Sequence, residues 1–84
     1  MSAFRVEARV MPRAALLDPQ GQAVERALHA LGFGEVARVR MGKHLVLDVD
    51  AGSREEALAH ARAMCDRLLA NPVTEDYDLA VEAA

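Results

Sequence analysis

The chain has 84 residues, room for one domain spanning 1–84; 52% of them are hydrophobic, but 17 are Ala and none is Ile or Trp, so the core is light in bulk and calls for a second copy or a partner. No apolar run approaches the roughly 20 residues of a membrane span, the charged Met1–Glu7 start is unlike a signal peptide, and a single Cys excludes a disulfide framework or a Cys-based zinc site, which points to a soluble cytoplasmic protein. The net charge of −3 disfavours nucleic acid, yet it is uneven: residues 1–43 hold seven bases and four acids, residues 44–84 three bases and nine acids, an asymmetry that favours antiparallel self-association.

Phe4, Val6, Ala8 and Val10 alternate with Arg5, Glu7 and Arg9, the pattern of a half-buried strand, and Pro12 cannot continue its ladder. Asp18-Pro19 reads as an N-cap followed by a first-turn proline. Ala23, Val24, Ala27, Leu28 and Leu31 form one helical stripe, and Gly32 is a C-terminal stop. Gly21 is unusual so early in a helix, where glycine costs about 1 kcal/mol against Ala, and it fits close backbone approach by something else and a surface turn equally well.

The next two pieces read as a hairpin. Ala37, Val39 and Met41 alternate with Arg38 and Arg40; Leu45, Leu47 and Val49 alternate with Val46, Asp48 and Asp50. Because the apolar positions on both segments are odd-numbered, the loop takes an odd length, Gly42-Lys43-His44, with Met41 opposite Leu45 and Arg38 opposite Asp48. Ser53-Arg54-Glu55-Glu56 is a capping box, Ala57, Ala61, Met64, Cys65 and Leu68 continue as a buried stripe, and Asn71-Pro72 stops the helix. Tyr77, Leu79 and Val81 suggest a last strand. The expected fold is α+β, a βαββαβ two-layer sandwich with a four-stranded antiparallel sheet and two helices on one face, ferredoxin-like or a close variant.

The residues offer no catalytic constellation. Cys65 lies on a buried stripe without an adjacent base, His29, His44 and His60 match no metal spacing, and Asp48 and Asp50 lack further ligands. Gly42-Lys43 lacks the upstream glycine and following helix of a phosphate loop. Too few aromatics are available to stack bases on the sheet. The chain is therefore expected to have no catalytic, cofactor or metal residue of its own, and to bind neither nucleic acid nor membrane.

Three segments resemble the PurS family, the small subunits of bacterial and archaeal phosphoribosylformylglycinamidine (FGAM) synthase. They are Asp18-Pro19-x-Gly21 with Ala23-Val24-Glu25-Arg26, Arg40-x-Gly42-Lys43, and Cys65-x-x-Leu68-Leu69-Ala70-Asn71-Pro72-Val73-x-Glu75-x-Tyr77. The resemblance covers nearly the whole chain and implies a non-catalytic subunit of a three-polypeptide carbon–nitrogen ligase of purine biosynthesis. There a glutaminase subunit releases ammonia, and a large synthetase subunit binds ATP, Mg and formylglycinamide ribonucleotide. The small subunit is implied to form a homodimer or a tetramer that bridges the two and helps build the ammonia path. Its implied subunit-contact candidates are Asp18, Pro19, Gly21, Arg40, Gly42, Lys43, Asn71, Pro72, Glu75 and Tyr77. The alternative is a small-molecule-binding regulatory module of the same βαββαβ order, with its ligand at a homodimer interface near Asp18 to Gly21.

Overall fold

The alternating segment at the start of the chain becomes β1 (Ser2–Pro12), the central strand of a three-stranded antiparallel sheet in the computed structural model, which describes Met1–Ala84. Its neighbours are β2 (Lys43–Ala51) on one side and β3 (Glu75–Ala83) on the other. The register follows from the period-two pattern: Phe4 lies between Val49 and Ala83, Val6 between Leu47 and Val81, and Ala8 between Leu45 and Leu79, so one face is apolar through these three rows. On the other face Arg5 lies between Asp48 and Glu82, and Arg9 between His44 and Asp78. There Arg9 donates two hydrogen bonds of 3.2 Å to the Asp78 carboxylate, and His44 Nε2 meets Glu7 Oε1 at 3.1 Å.

A single helix, α2 (Arg54–Met64), covers the apolar face. Ser53 Oγ accepts the Glu56 N–H at 3.1 Å, as the capping box predicts, while the Glu56 carboxylate reaches one residue further back, to the Gly52 N–H at 3.1 Å. Ala57, Ala61 and Cys65 are buried, and the two alanines enter a core with Val6, Ala51 and Val81. Small side chains let the helix lie close to the sheet, which is where the Ala-rich composition is used. After Met64 the helix widens into a π-turn (Cys65–Leu69), with the Ala70 N–H bonded to the Cys65 carbonyl at 2.9 Å. The predicted stripe fails at this widening: Leu68 is 82% exposed and Met64 is also exposed.

Two larger expectations are corrected. The sheet has three strands, not four, and only one helix lies on it. Residues 37–42 are neither helix nor strand, so the Gly42–His44 hairpin and the Arg38–Asp48 pairing do not form. The alternation there has another cause. Arg38 Nη2 donates to the Ala14 carbonyl at 2.7 Å and Arg40 Nη2 to the Pro12 carbonyl, so the alternate arginines fasten this segment to the chain leaving β1. The capping signals of α1 (Pro19–Ala30) are all realised: Asp18 accepts from the Gly21 N–H, Pro19 occupies the first turn, and Gly32 has φ +98°. Its apolar stripe, however, is not packed into the core, and none of Ala23, Val24, Ala27, Leu28 or Leu31 is buried.

With α1 swung out, residues 13–42 form an arm projecting from a flat body. The chain measures 51 × 26 × 14 Å and its radius of gyration is 16.4 Å, against about 12 Å for a compact chain of this length.

Candidate functional site

The carboxyl end of β1 gathers all three motif segments. Lys43 and Tyr77 both pair with Val10, on opposite sides of β1, and Glu75 pairs with Pro12. The Lys43 ammonium lies 4.0 Å from the Glu75 carboxylate, linking the second motif to the third. A surface groove lined by Pro12, Leu16, Leu17, Pro19, Thr74 and Glu75 links the first motif to the third.

At the base of the arm, Asp18 does two things. One carboxylate oxygen accepts the Gly21 N–H at 3.0 Å, the normal N-cap bond, and the other accepts the Met41 N–H at 2.8 Å. The Met41 bond, then the Gly21 bond, hold the Asp18 carboxyl below the usual carboxylate range; desolvation opposes them, and the nearby Arg40 and Arg38 charges add smaller downward pulls. Gly21 is buried because the Val39 carbonyl oxygen occupies the place of its missing Cβ. Gly42 stands in the same relation to the Val10 carbonyl. The early helical glycine thus does mark a close approach, by the chain's own backbone. Asp18, Pro19, Gly21, Arg40 and Gly42 together form the joint between arm and sheet. Both Asp18 oxygens are already engaged, so the features that raised a ligand reading near Asp18 to Gly21 are accounted for within the chain.

On the other side of β1, the Asn71-Pro72 turn closes on itself. Asn71 Oδ1 accepts the Val73 N–H at 3.0 Å, the Asn71 carbonyl accepts the Glu75 N–H at 2.8 Å, and the Asn71 N–H donates to Glu75 Oε1 at 2.7 Å. Tyr77 donates its phenol hydrogen to Asp66 Oδ1 at 2.8 Å. That bond above all, with desolvation and the Asp66 charge behind it, raises the Tyr77 value above that of an ordinary tyrosine. Burial, with a smaller push from Asp66, also raises the Cys65 thiol, leaving it a poor nucleophile. No three His, Cys, Asp or Glu side chains lie together as a metal ion would require.

Arg13 is the residue that sequence reasoning missed. Its Nη2 donates to the Pro72 carbonyl at 2.7 Å, its N–H to the Thr74 carbonyl at 2.9 Å, and its Nε lies 3.4 Å from the Asp76 carboxylate. It ties the third motif to the root of the arm. An Arg after a strand-ending Pro carries no local signal for bonds that reach some sixty residues along the chain.

The PurS family model, described as phosphoribosylformylglycinamidine (FGAM) synthase, matches residues 5–83. The chain is 40% identical over 79 residues to the PurS subunit of phosphoribosylformylglycinamidine synthase from Bacillus subtilis, a match covering 94% of this chain and 93% of that one. Against the Archaeoglobus fulgidus subunit it is 45% identical over 62 residues, 74% of this chain and 78% of that one. Among solved structures it superposes on a chain of the PurLQS structure from Thermotoga maritima with a TM-score of 0.89 at 33% identity, covering 98% of this chain and all of that one.

Proposed function

The chain belongs to the PurS family and is a subunit of phosphoribosylformylglycinamidine synthase, and from that premise we propose that it acts as a single assembly domain, making no bond itself while it bridges the glutaminase and synthetase subunits and helps form the ammonia path. ATP and Mg are used by the synthetase partner, and the complex works in the cytoplasm. No helix of the chain is long and apolar enough to cross a membrane. The Thermotoga maritima relative comes from a structure of PurLQS.

One observation carries the reading: a motif-built joint holds out an arm whose apolar stripe is uncovered. Leu31 is 74% exposed, Leu17 72% and Phe33 48%. Apolar surface left open on an elongated chain is the signature of an assembly subunit. The positive excess of residues 1–43 and the negative excess of 44–84 favour pairing of two copies in opposite directions. In this reading the motif residues act at two levels. Asp18, Pro19, Gly21, Arg40 and Gly42 set the arm, while Lys43, Asn71, Pro72, Glu75 and Tyr77 line the end of the sheet that meets the other subunits.

Reconstitution tests it. Synthetase and glutaminase subunits are expected to form the amidine from glutamine only when this chain is added. Full glutamine-dependent activity without it, or failure to co-elute with either subunit, overturns the reading.

A further inference from the structure

β1 has a strand on each side, but β3 is paired on one side only. The ladder fixes which groups its outer edge presents. The Arg13 and Ala84 N–H groups donate across it to the Thr74 and Ala3 carbonyls, so odd-numbered residues of β1 hydrogen-bond with even-numbered residues of β3. Tyr77, Leu79 and Val81 therefore turn their backbone N–H and C=O groups outward. Arg54 marks that direction: its Nε reaches over from α2 and donates to the Val81 carbonyl at 3.3 Å. The other outward groups of these three residues have no partner in the chain.

Along this edge α2 and β3 enclose a groove. Its floor is Leu58 and Leu79, both half-buried, with Arg54 at the Val81 end and Arg62 at the Tyr77 end. Arg9, Arg13 and Lys43 all make ion pairs within the chain, whereas Arg54 and Arg62 make none, and Asp78 at the rim is already held by Arg9. The spacing suits an extended chain. Eight helical residues rise about 12 Å, and residues i and i+4 of a strand share a face about 13 Å apart. A strand laid on β3 thus meets the two arginines with residues i and i+4, and the apolar floor with residue i+2. The same edge of a second copy does not fit, because it sets Arg54 and Arg62 against their own counterparts.

We propose that the β3 edge receives an extended segment of a partner subunit as a fourth strand, of the pattern acidic-x-apolar-x-acidic. Its backbone takes the outward groups of Tyr77, Leu79 and Val81, its two carboxylates pair with Arg54 and Arg62, and its apolar side chain lies on Leu58 and Leu79. The backbone bonds supply attachment and the arginines supply selectivity for charge. This rests on the assembly role proposed above and adds the surface and the chemistry of the segment it takes.

Hydrogen exchange reads the edge amide by amide. The Tyr77 and Leu79 amides are expected to exchange freely in the chain alone and to slow at least tenfold when the synthetase and glutaminase subunits are added. An excess of an end-blocked peptide with the core Glu-Thr-Val-Thr-Glu is expected to slow the same two amides, and its Lys-Thr-Val-Thr-Lys counterpart to leave them unchanged. Arg54 and Arg62 are both exposed, so the double variant R54Q and R62Q keeps its fold, checked by an unchanged melting temperature. It is expected to lose at least tenfold in affinity for one partner subunit by isothermal titration. Partner subunits that bind without slowing these amides, or that bind the double variant as tightly as the wild type, overturn the edge docking and leave the assembly role standing. A peptide pair that acts alike overturns the acidic pattern, and amides already slow in the chain alone place a second copy on the edge and overturn the proposal. Partner subunits that do not bind the wild type at all overturn the assembly role itself.

Discussion

The Asp18 carboxylate accepts the Met41 backbone N–H at 2.8 Å across 23 residues of chain while it also caps its own helix through Gly21 at 3.0 Å. One side chain therefore fixes both where α1 begins and where the arm returns to the sheet. In D18N the amide oxygen can still accept one of these N–H groups, but the NH₂ faces the other as a second donor; D18A loses both bonds. Hydrogen exchange is expected to accelerate across residues 19–42 in the order wild type, D18N, D18A. The amides of β1 paired with β3 should change little. Uniform acceleration through the sheet would show that the joint is not a separate unit.

The same latch has a pH dependence. Folding lowers the Asp18 value through the Met41 and Gly21 amides first. Its contribution is therefore complete above the unfolded aspartate value of about 3.9, and is lost as pH falls through the lowered folded value. Arm amides, corrected for intrinsic exchange rates, should loosen below about pH 4 in the wild type, and D18N should lack that Asp18-dependent step. Identical profiles for the two proteins would remove Asp18 as the titrating latch.

Glycine substitutions separate close approach from mere flexibility. A Cβ at Gly21 or Gly42 collides with a backbone carbonyl oxygen, of Val39 or Val10, which cannot swing aside as a side-chain tip could. G21A and G42A should each cost about 1–3 kcal/mol, lowering Tm by about 4–8 °C per kcal/mol. Gly34 has open space where its Cβ would stand and no positive φ, so G34A should be neutral or stabilising by up to about 1 kcal/mol. Thermal melts of the three variants decide it.

How far the sequence could be read follows from the range of each interaction. β1, the N-caps of both helices, Gly32 and the buried Cys65 were legible because a short window contains their cause. Residues 37–41 misled because Arg38 and Arg40 point to carbonyls at Ala14 and Pro12, and alternation alone cannot tell such a tether from a strand edge. The stripe of α1 was read correctly as apolar, but periodicity says that a face must be covered and not which chain covers it. Leu68 was misplaced because the π-turn after Met64 shifts the helical phase. All ten candidate site residues lie near one end of the sheet, yet Arg13, which ties the third segment to the root of the arm, stands outside every motif window, and Asp66, which accepts from Tyr77, falls on an unspecified position of the third.

Tyr77 is a built-in reporter, since the chain has one Tyr and no Trp. Its phenol donates to Asp66, so the neutral form is the one stabilised, and its ionisation is raised. That contribution is present below the unfolded tyrosine value of about 10 and is lost as pH rises through the folded one. An ultraviolet titration should show phenolate forming above the usual range in the wild type and at lower pH in D66N. An unchanged titration in D66N would mean the bond is absent in solution.

The π-turn also predicts where another subunit lands. Widening the last turn of α2 sends Leu68 outward, 82% exposed, and Val73 just past the Asn71-Pro72 turn is 74% exposed. Both flank a turn whose backbone is held rigid by Asn71, Glu75 and Arg13. Large apolar side chains displayed on a rigid, internally satisfied turn can bind without first losing much chain entropy. The double substitution L68E and V73E touches no core residue, so stability should stay within about 0.5 kcal/mol. Affinity for the partner subunits should fall at least tenfold, the cost of placing two charges in a desolvated contact. Isothermal titration against the synthetase and glutaminase subunits separately identifies which one loses the contact. Full affinity for both would place the docking surface elsewhere on the chain.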